Sequence, residues 1–153
     1  MPTERATVYV DTSVLVAAFS NESRQAQAMA LLQAPQWAQV FVSDWTLAEF
    51  ACALQAKVWR GDTPASVARE ITQLMTRLLA QNALQRIAVL REDYRAVEQQ
   101  AAQMTGALRG ADALHLAVAA RHQVSHFASL DKTQCGAARQ WLAGVACVPA
   151  GDA

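Results

Sequence analysis

Four carboxylates occupy positions in this sequence from which they could do chemistry. Asp11 directly follows the first run of β-branched and aromatic residues, and Asp131 directly follows the fourth such run. Glu49 and Asp112 lie inside helical segments that are largely apolar, of which "LRGADALHLAVAA" at 108–120 is the clearest. An ion taken out of water is costly unless it gains a partner or gives up its charge. These acids are therefore the first candidates for a functional site.

Strand-like and helix-like segments alternate along the chain and must position these acids. Short β-branched and aromatic runs predict five strands, at 7–10, 38–43, 84–89, 124–129 and 145–148. Apolar residues at helical spacing predict the helices, at 11–19, 22–33, 44–59, 64–81, 92–104, 108–120 and 131–143. Strands that alternate with helices are typical of a parallel α/β sheet with helices on both faces. We predict one α/β domain over 1–148 and a short tail at 149–153.

All four acids are expected at one edge of that sheet. Asp11 and Asp131 follow strands directly, and ligands bind at the carboxyl ends of parallel strands. Glu49 lies early in a helix that leaves this edge, and Asp112 lies in the first turn of a helix that begins near it. Two like charges about 4 Å apart repel by roughly 4 kcal/mol at an effective dielectric near 20, so such a cluster needs a cation. Carboxylates without a Cys–His set favour Mg²⁺ or Mn²⁺, which can activate water and bind phosphate oxygens.

Each acid also has a purely structural interpretation. Asp11 and Asp131 could cap the helices that follow them, and "DKTQ" resembles a capping box that ends at Gln134. Asp112 in a first turn would complement the helix dipole. Glu49 could pair with a basic residue at a helix contact. The residues alone leave both interpretations open.

Composition limits the possible functions. The chain has 153 residues, 53% of them hydrophobic and 17% charged, so a substantial core is expected. The 13 basic and 13 acidic side chains cancel. A neutral chain does not attract nucleic acid through a general positive field, although a local basic groove stays possible.

Cysteine usage and hydropathy predict the compartment. The three cysteines are odd in number and form no C-x-x-C pair: Cys52, Cys135 and Cys147. We therefore expect no disulfide framework and no zinc site, and we expect a reducing compartment. Glu4, Arg5 and Asp11 interrupt any signal peptide, and no apolar run of about 18 residues could span a membrane. These observations favour a soluble cytoplasmic protein without a membrane partner.

Four pieces of the chain, taken in order, resemble PIN-domain ribonucleases, and most closely the VapC-type toxins of bacterial toxin–antitoxin pairs. These pieces are "VYVDTSVLVAAF", "VSDWTLAEFACAL", "GADALHLAVAA" and "HFASLDKTQ", and together they cover nearly the whole chain. The resemblance implies a three-layer α/β/α sandwich around a five-stranded parallel sheet. It also implies a metal-dependent endoribonuclease that usually dimerises and is held inactive by a cognate antitoxin.

The same resemblance assigns roles to particular residues. Asp11, Glu49, Asp112 and Asp131 match the acidic quartet that holds Mg²⁺ or Mn²⁺ in the family. Ser13 matches the small polar residue after the first acid. Ser129 matches the hydroxyl of the family's T-x-D element, with serine in place of the commoner threonine.

Further side chains near these motifs have open roles. We interpret His115 as a packed or hydrogen-bonded histidine rather than a base. Arg109 and Lys132 could each steady a substrate phosphate or pair with an acid. Trp45 and Trp59 are candidates for a dimer or antitoxin surface, or for the core.

Two other functions compete with the nuclease. A non-catalytic PIN-like module that binds RNA or protein would account for the neutral net charge. A phosphatase with an aspartyl nucleophile would require a second acid two residues after Asp11, and Ser13 stands there instead.

Overall fold

The computed structural model describes residues 5–20 and 22–148, and its centre is one sheet of five parallel strands. The strands are β1 (Ala6–Val10), β2 (Trp37–Ser43), β3 (Gln85–Ile87), β4 (His126–Ala128) and β5 (Ala146–Val148). Their order across the sheet is β3-β2-β1-β4-β5, and every neighbouring pair is parallel. The predicted five-stranded parallel sheet is confirmed. The predicted tail at 149–153 lies outside the described residues.

Helices connect the strands and cover both faces of the sheet. They are α1 (Thr12–Phe19), α2 (Gln25–Leu32), α3 (Asp44–Trp59), α4 (Ala65–Ala80), α5 (Arg91–Ala101), α6 (Gly110–Arg121) and α7 (Lys132–Trp141). Each predicted helix is present, with ends within three residues of those predicted. The side chains of successive strand residues point to opposite faces, which divides the core in two. Val8 and Val10 pack with α1 to α4 on one face, whereas Tyr9 packs with α6 and α7 on the other.

The strand order creates a switch point beside β1. The chain runs from β1 outward through β2 to β3, and then returns to the other side of β1 as β4. The connections therefore diverge at the carboxyl ends of β1 and β4, which opens a crevice where α/β proteins bind ligands. The backbone N–H of Asp11 donates to the carbonyl of Ala128 at 3.0 Å, which ties these two strand ends together.

Helix α6 explains the apolar segment at 108–120. Residues 113–119 are all buried, because both the sheet and neighbouring helices cover this helix. Asp112 and Arg109 precede that buried stretch, at the end of the helix that reaches the carboxyl edge of the sheet. The placement of Asp112 in the first turn is as predicted.

One prediction about the cysteines is wrong. Cys135 in α7 and Cys147 in β5 form a disulfide, with their Cα atoms 5.7 Å apart. The third cysteine, Cys52, is free and exposed. The pairing depends on α7 packing beside the edge strand β5, which spacing along the chain does not reveal. Among the described residues, no helix is long and apolar enough to cross a membrane.

Candidate active site

Asp11 lies at the switch point and is almost completely buried. It is the N-cap of α1, and its Oδ1 accepts hydrogen bonds from the backbone N–H and the hydroxyl of Ser13, at 3.1 and 2.5 Å. Its residue surface is only 5% exposed. Burial raises the pKa of the Asp11 carboxyl, while the nearby Ser129 and Ser13 hydroxyls oppose that rise. A cation at this position would therefore compensate for a costly buried charge.

Two serine hydroxyls join the ends of β1 and β4. The Ser13 hydroxyl lies 3.5 Å from that of Ser129, and it accepts a hydrogen bond from the backbone N–H of Leu130 at 2.9 Å. The Ser129 hydroxyl accepts from the backbone N–H of Asp131 at 3.0 Å. These contacts fix the β4–α7 turn against the first turn of α1. Ser13 and Ser129 therefore both lie at the predicted site.

Asp131 follows that turn and is exposed. Its Oδ1 accepts hydrogen bonds from the backbone N–H groups of Thr133 and Gln134, at 2.8 and 3.4 Å, and so caps α7. The side-chain amide of Gln134 in turn donates to the backbone carbonyl of Asp112 at 2.8 Å. Gln134 is buried and connects the two helices whose first turns carry Asp112 and Asp131.

Glu49 reaches the site from the second turn of α3. Its Oε1 accepts a hydrogen bond from the Thr12 hydroxyl at 2.7 Å and lies 2.6 Å from Nε2 of His115. Burial by itself would raise the pKa of Glu49, but the hydrogen bonds from His115 and Thr12 outweigh that effect and lower it. Glu49 is thus held as a carboxylate, and His115 is a buried hydrogen-bonded histidine, as predicted.

Asp112 and Arg109 pair with each other at the surface of the site. Arg109 Nε lies 3.2 Å from Asp112 Oδ2, and the two side chains are 81% and 28% exposed. An ion pair in water contributes little stability, about 0–1 kcal/mol, so either partner can exchange it for another. Lys132, beside Asp131, is exposed.

The first turn of α1 joins two of the four acids into one hydrogen-bonded group. Thr12 contacts Glu49, and Ser13 contacts Asp11 and the turn that carries Asp131. Asp112 is tied to the group through its backbone, while its carboxylate faces Arg109. Within residues 5–20 and 22–148, no three His, Cys, Asp or Glu side chains are placed together so as to hold a metal ion. The four carboxylates suit Mg²⁺ or Mn²⁺ in type, because both ions prefer oxygen ligands.

Two residues of this group were not predicted as parts of the site. Gln134 lies within the motif "DKTQ", and proximity to Asp131 was the available signal. Tyr9 precedes Asp11 by two residues in the strand, and its hydroxyl reaches His115 at 2.7 Å. A tyrosine in a buried strand requires a hydrogen-bond partner, and this requirement could have drawn attention to it.

The fold and the acidic group define an α/β protein with a polar site at the switch point of its sheet. The PIN domain model matches residues 8–140, so this chain belongs to the PIN domain family. The match includes the segments that carry Asp11, Glu49, Asp112 and Asp131. No curated protein matches the chain in sequence.

Solved structures share this fold at low sequence identity. VapC20 of Mycobacterium tuberculosis, described as a toxin that cleaves the Sarcin-Ricin loop, is 16% identical, with a TM-score of 0.67 over 85% of this chain and 94% of that one. FitAcB of Neisseria gonorrhoeae is 17% identical, with a TM-score of 0.63 over 92% and 95%. VapBC2 of Rickettsia felis, bound to a DNA fragment from its promoter, is 12% identical, with a TM-score of 0.59 over 92% and 96%. These similarities are similarities of fold.

Proposed function

We propose that this protein is a metal-dependent endoribonuclease and the toxin of a toxin–antitoxin pair. The observation that carries the proposal is the position of Asp11, Glu49, Asp112 and Asp131 in four segments that end or begin at one edge of the sheet. Membership of the PIN domain family and a fold shared with VapC20 support the same conclusion. The substrate class is RNA, and the reaction is hydrolysis of a phosphodiester bond.

Asp11, Glu49, Asp112 and Asp131 would hold Mg²⁺ or Mn²⁺. When bound, such an ion supplies positive charge for the phosphate oxygens and lowers the pKa of water. Asp11 supplies a carboxylate that burial makes costly without a cation. Ser13 and Ser129 fix the carboxylate of Asp11 and the turn before Asp131 through their hydroxyls.

Arg109 and Lys132 are the proposed contacts to substrate phosphate. Arg109 is exposed directly before α6, and among the described residues its side chain is engaged by a surface ion pair with Asp112. When Asp112 binds a cation, the guanidinium loses that partner and can bind a phosphate oxygen. Lys132 lies at the first turn of α7, on the other side of the Gln134 link.

A second copy of this chain and a cognate antitoxin are the proposed protein partners. FitAcB and VapBC2 share the fold. Trp59 at the end of α3 is 86% exposed, and tryptophan is enriched at protein–protein interfaces. Trp45 is less accessible, and its indole N–H donates to the Ala111 carbonyl at 3.2 Å. Both remain candidates for these contacts.

The test is cleavage of a small-RNA pool by the antitoxin-free protein, with Mn²⁺ or Mg²⁺ and with EDTA. Asp112→Asn should abolish the metal-dependent products. Asp131→Asn is a sharper variant, because asparagine caps a helix about as well as aspartate and only the charge is lost. Asp62→Asn is the matched control, since Asp62 pairs with Arg60 at the surface in the turn after α3.

A non-catalytic PIN-like binding module is the second candidate. The observation in its favour is that the described residues contain no assembled metal-binding group. Thermal melting with and without Mn²⁺ separates the two. A binding module without a metal site should show neither cleavage nor a rise in melting temperature. A nuclease should show both, and both should decrease in Asp112→Asn.

A further inference from the structure

A buried chain of polar side chains runs from the start of α3 to Glu49. The Tyr9 hydroxyl lies at its centre, 2.8 Å from the Ser43 hydroxyl, 3.1 Å from the Thr46 hydroxyl and 2.7 Å from Nδ1 of His115. Tyr9, Ser43 and Thr46 are fully buried, and His115 is 2% exposed. Polar groups are costly to bury, so a chain of this length in the core calls for an explanation.

The other ring nitrogen of His115 faces the proposed active site. His115 Nε2 lies 2.6 Å from Glu49 Oε1, and the Thr12 hydroxyl donates to the same oxygen. Both contacts fall on Oε1, and among the described residues no hydrogen bond to Oε2 is observed. Glu49 is therefore held by one oxygen and has the other oxygen free to bind a ligand.

Hydrogen-bond chemistry gives a consistent assignment of donors and acceptors along this chain. A carboxylate only accepts hydrogen bonds, so His115 must carry a proton on Nε2. In the neutral ring Nδ1 then accepts, and the Tyr9 hydroxyl is the donor that it faces. The oxygen of Tyr9 can in turn accept from the hydroxyl of Ser43 or Thr46. Each group has a donor or acceptor that matches its neighbour.

The α3 capping box does not require Tyr9. The Ser43 hydroxyl accepts from the backbone N–H of Thr46, and the Thr46 hydroxyl accepts from that of Ser43, each at 3.1 Å. These two bonds close the capping box without a third partner. The contact between the Tyr9 hydroxyl and His115 is therefore additional to the bonds that close the capping box.

We propose that Tyr9 and His115 are positioning residues that hold the Glu49 carboxylate in its active orientation, with Tyr9 fixing the imidazole ring through a hydrogen bond to Nδ1. This rests on the proposed function, in which Glu49 is a metal ligand. Groups that orient a ligand in this way typically contribute about 10–100-fold to metal affinity or activity. His115 acts through Glu49 and does not itself touch the substrate.

Two substitutions at His115 separate its two contacts. In His115→Gln the side-chain amide nitrogen can replace Nε2 and still donate to Glu49. In His115→Asn the shorter amide reaches the Nδ1 position and loses Glu49. We expect His115→Asn to weaken binding of Mn²⁺ alone by about 10–100-fold, with His115→Gln restoring most of that loss. His122→Gln, at an exposed histidine after α6, is the matched control.

The ring itself provides a readout that is independent of cleavage. Long-range ¹H–¹⁵N correlation spectra of the metal-free protein distinguish the two neutral forms of His115, and the His115→Gln spectrum assigns its signals. We expect a single Nε2-protonated form in the wild type. Tyr9→Phe removes the hydrogen-bond partner of Nδ1, and it should shift the Nδ1 resonance and weaken Mn²⁺ binding.

The results separate this inference from the proposed function. If the wild-type protein shows no metal-dependent cleavage, the proposed nuclease function is contradicted. The spectra and the Mn²⁺ titrations would still test the positioning role. A ring protonated on Nδ1 would overturn the inference. So would equal Mn²⁺ affinity in the wild type, His115→Asn and Tyr9→Phe with circular dichroism unchanged. Should His115→Asn fail to fold, Tyr9→Phe decides the question.

Discussion

The disulfide between α7 and β5 gives a stability prediction whose size follows from the loop that it closes. Cys135 and Cys147 are 12 residues apart, and both are buried. In the chain-entropy model, closing a loop of that length in the unfolded chain contributes about 3 kcal/mol to the free energy of unfolding. For a domain of this size, such a loss lowers the melting temperature by roughly 6–12 °C.

The perturbation is reduction by dithiothreitol, compared with the double variant Cys135→Ala, Cys147→Ala. Melting temperature is followed by circular dichroism, and free thiols are counted in the denatured protein before and after reduction. We expect one thiol before reduction, from Cys52, and three after it. Cys52→Ser is the matched control and should leave the melting temperature unchanged.

Two results would refute this reasoning. Three free thiols in protein purified without reductant would show that the bridge does not form. A melting temperature that reductant leaves unchanged, in protein with one free thiol, would show that the bridge forms but does not limit stability. The double variant loses two buried sulfur atoms as well, so it should melt no higher than the reduced wild type.

Three further predictions concern charge and exposure. Asp11→Asn should raise the melting temperature of the metal-free protein at neutral pH, because burial raises the pKa of this carboxyl and its charged form is unfavourable in the fold. As the pH falls through that raised pKa towards 3.8, the difference in melting temperature between the wild type and Asp11→Asn should disappear. A wild type that still melts lower than the variant near pH 3.8 would contradict this explanation. Trp59→Ala should change the free energy of unfolding by less than about 0.5 kcal/mol. It should weaken dimer or antitoxin binding in a pull-down. A variant that fails to fold would instead place Trp59 in the core. Arg121→Ala should lower the free energy of unfolding, measured by urea denaturation, by about 3–5 kcal/mol. The reason is that the Arg121 guanidinium pairs with the Asp93 carboxylate, which is only 1% exposed. A change near zero would show that Asp93 finds another partner.

The order and type of the elements could be predicted from local sequence. The β-branched run before Asp11 and the apolar helix around Asp112 carry periodicities that depend on few neighbours. The predicted β3, at 84–89, is shorter in the structure, at Gln85–Ile87, because only these residues pair with β2 at the edge of the sheet. The length of an edge strand depends on which residues pair with the neighbouring strand, and the sequence of the edge strand alone does not reveal that pairing.

The placement of the four acids in segments that begin or end at one edge of the sheet followed from the sequence, and their joint binding of a metal stays a prediction. Parallel strands and right-handed crossovers place every strand end and helix start on a predictable side of the sheet. Ser13 and Ser129 were predicted through the family resemblance, and the structure brings their hydroxyls to 3.5 Å. Their positions follow from the ends of β1 and β4, which are neighbours in the sheet.

The partners of individual side chains were decided only by the tertiary structure. Glu49 and His115 are 66 residues apart, and Tyr9 and His115 are 106 apart, yet each pair is within hydrogen-bond distance. The Cys135–Cys147 bridge was contrary to expectation for the same reason. Sequence fixes which residues lie at the ends of strands and helices, because backbone geometry is local. Contacts between side chains depend on how those elements pack, and packing is a property of the whole fold.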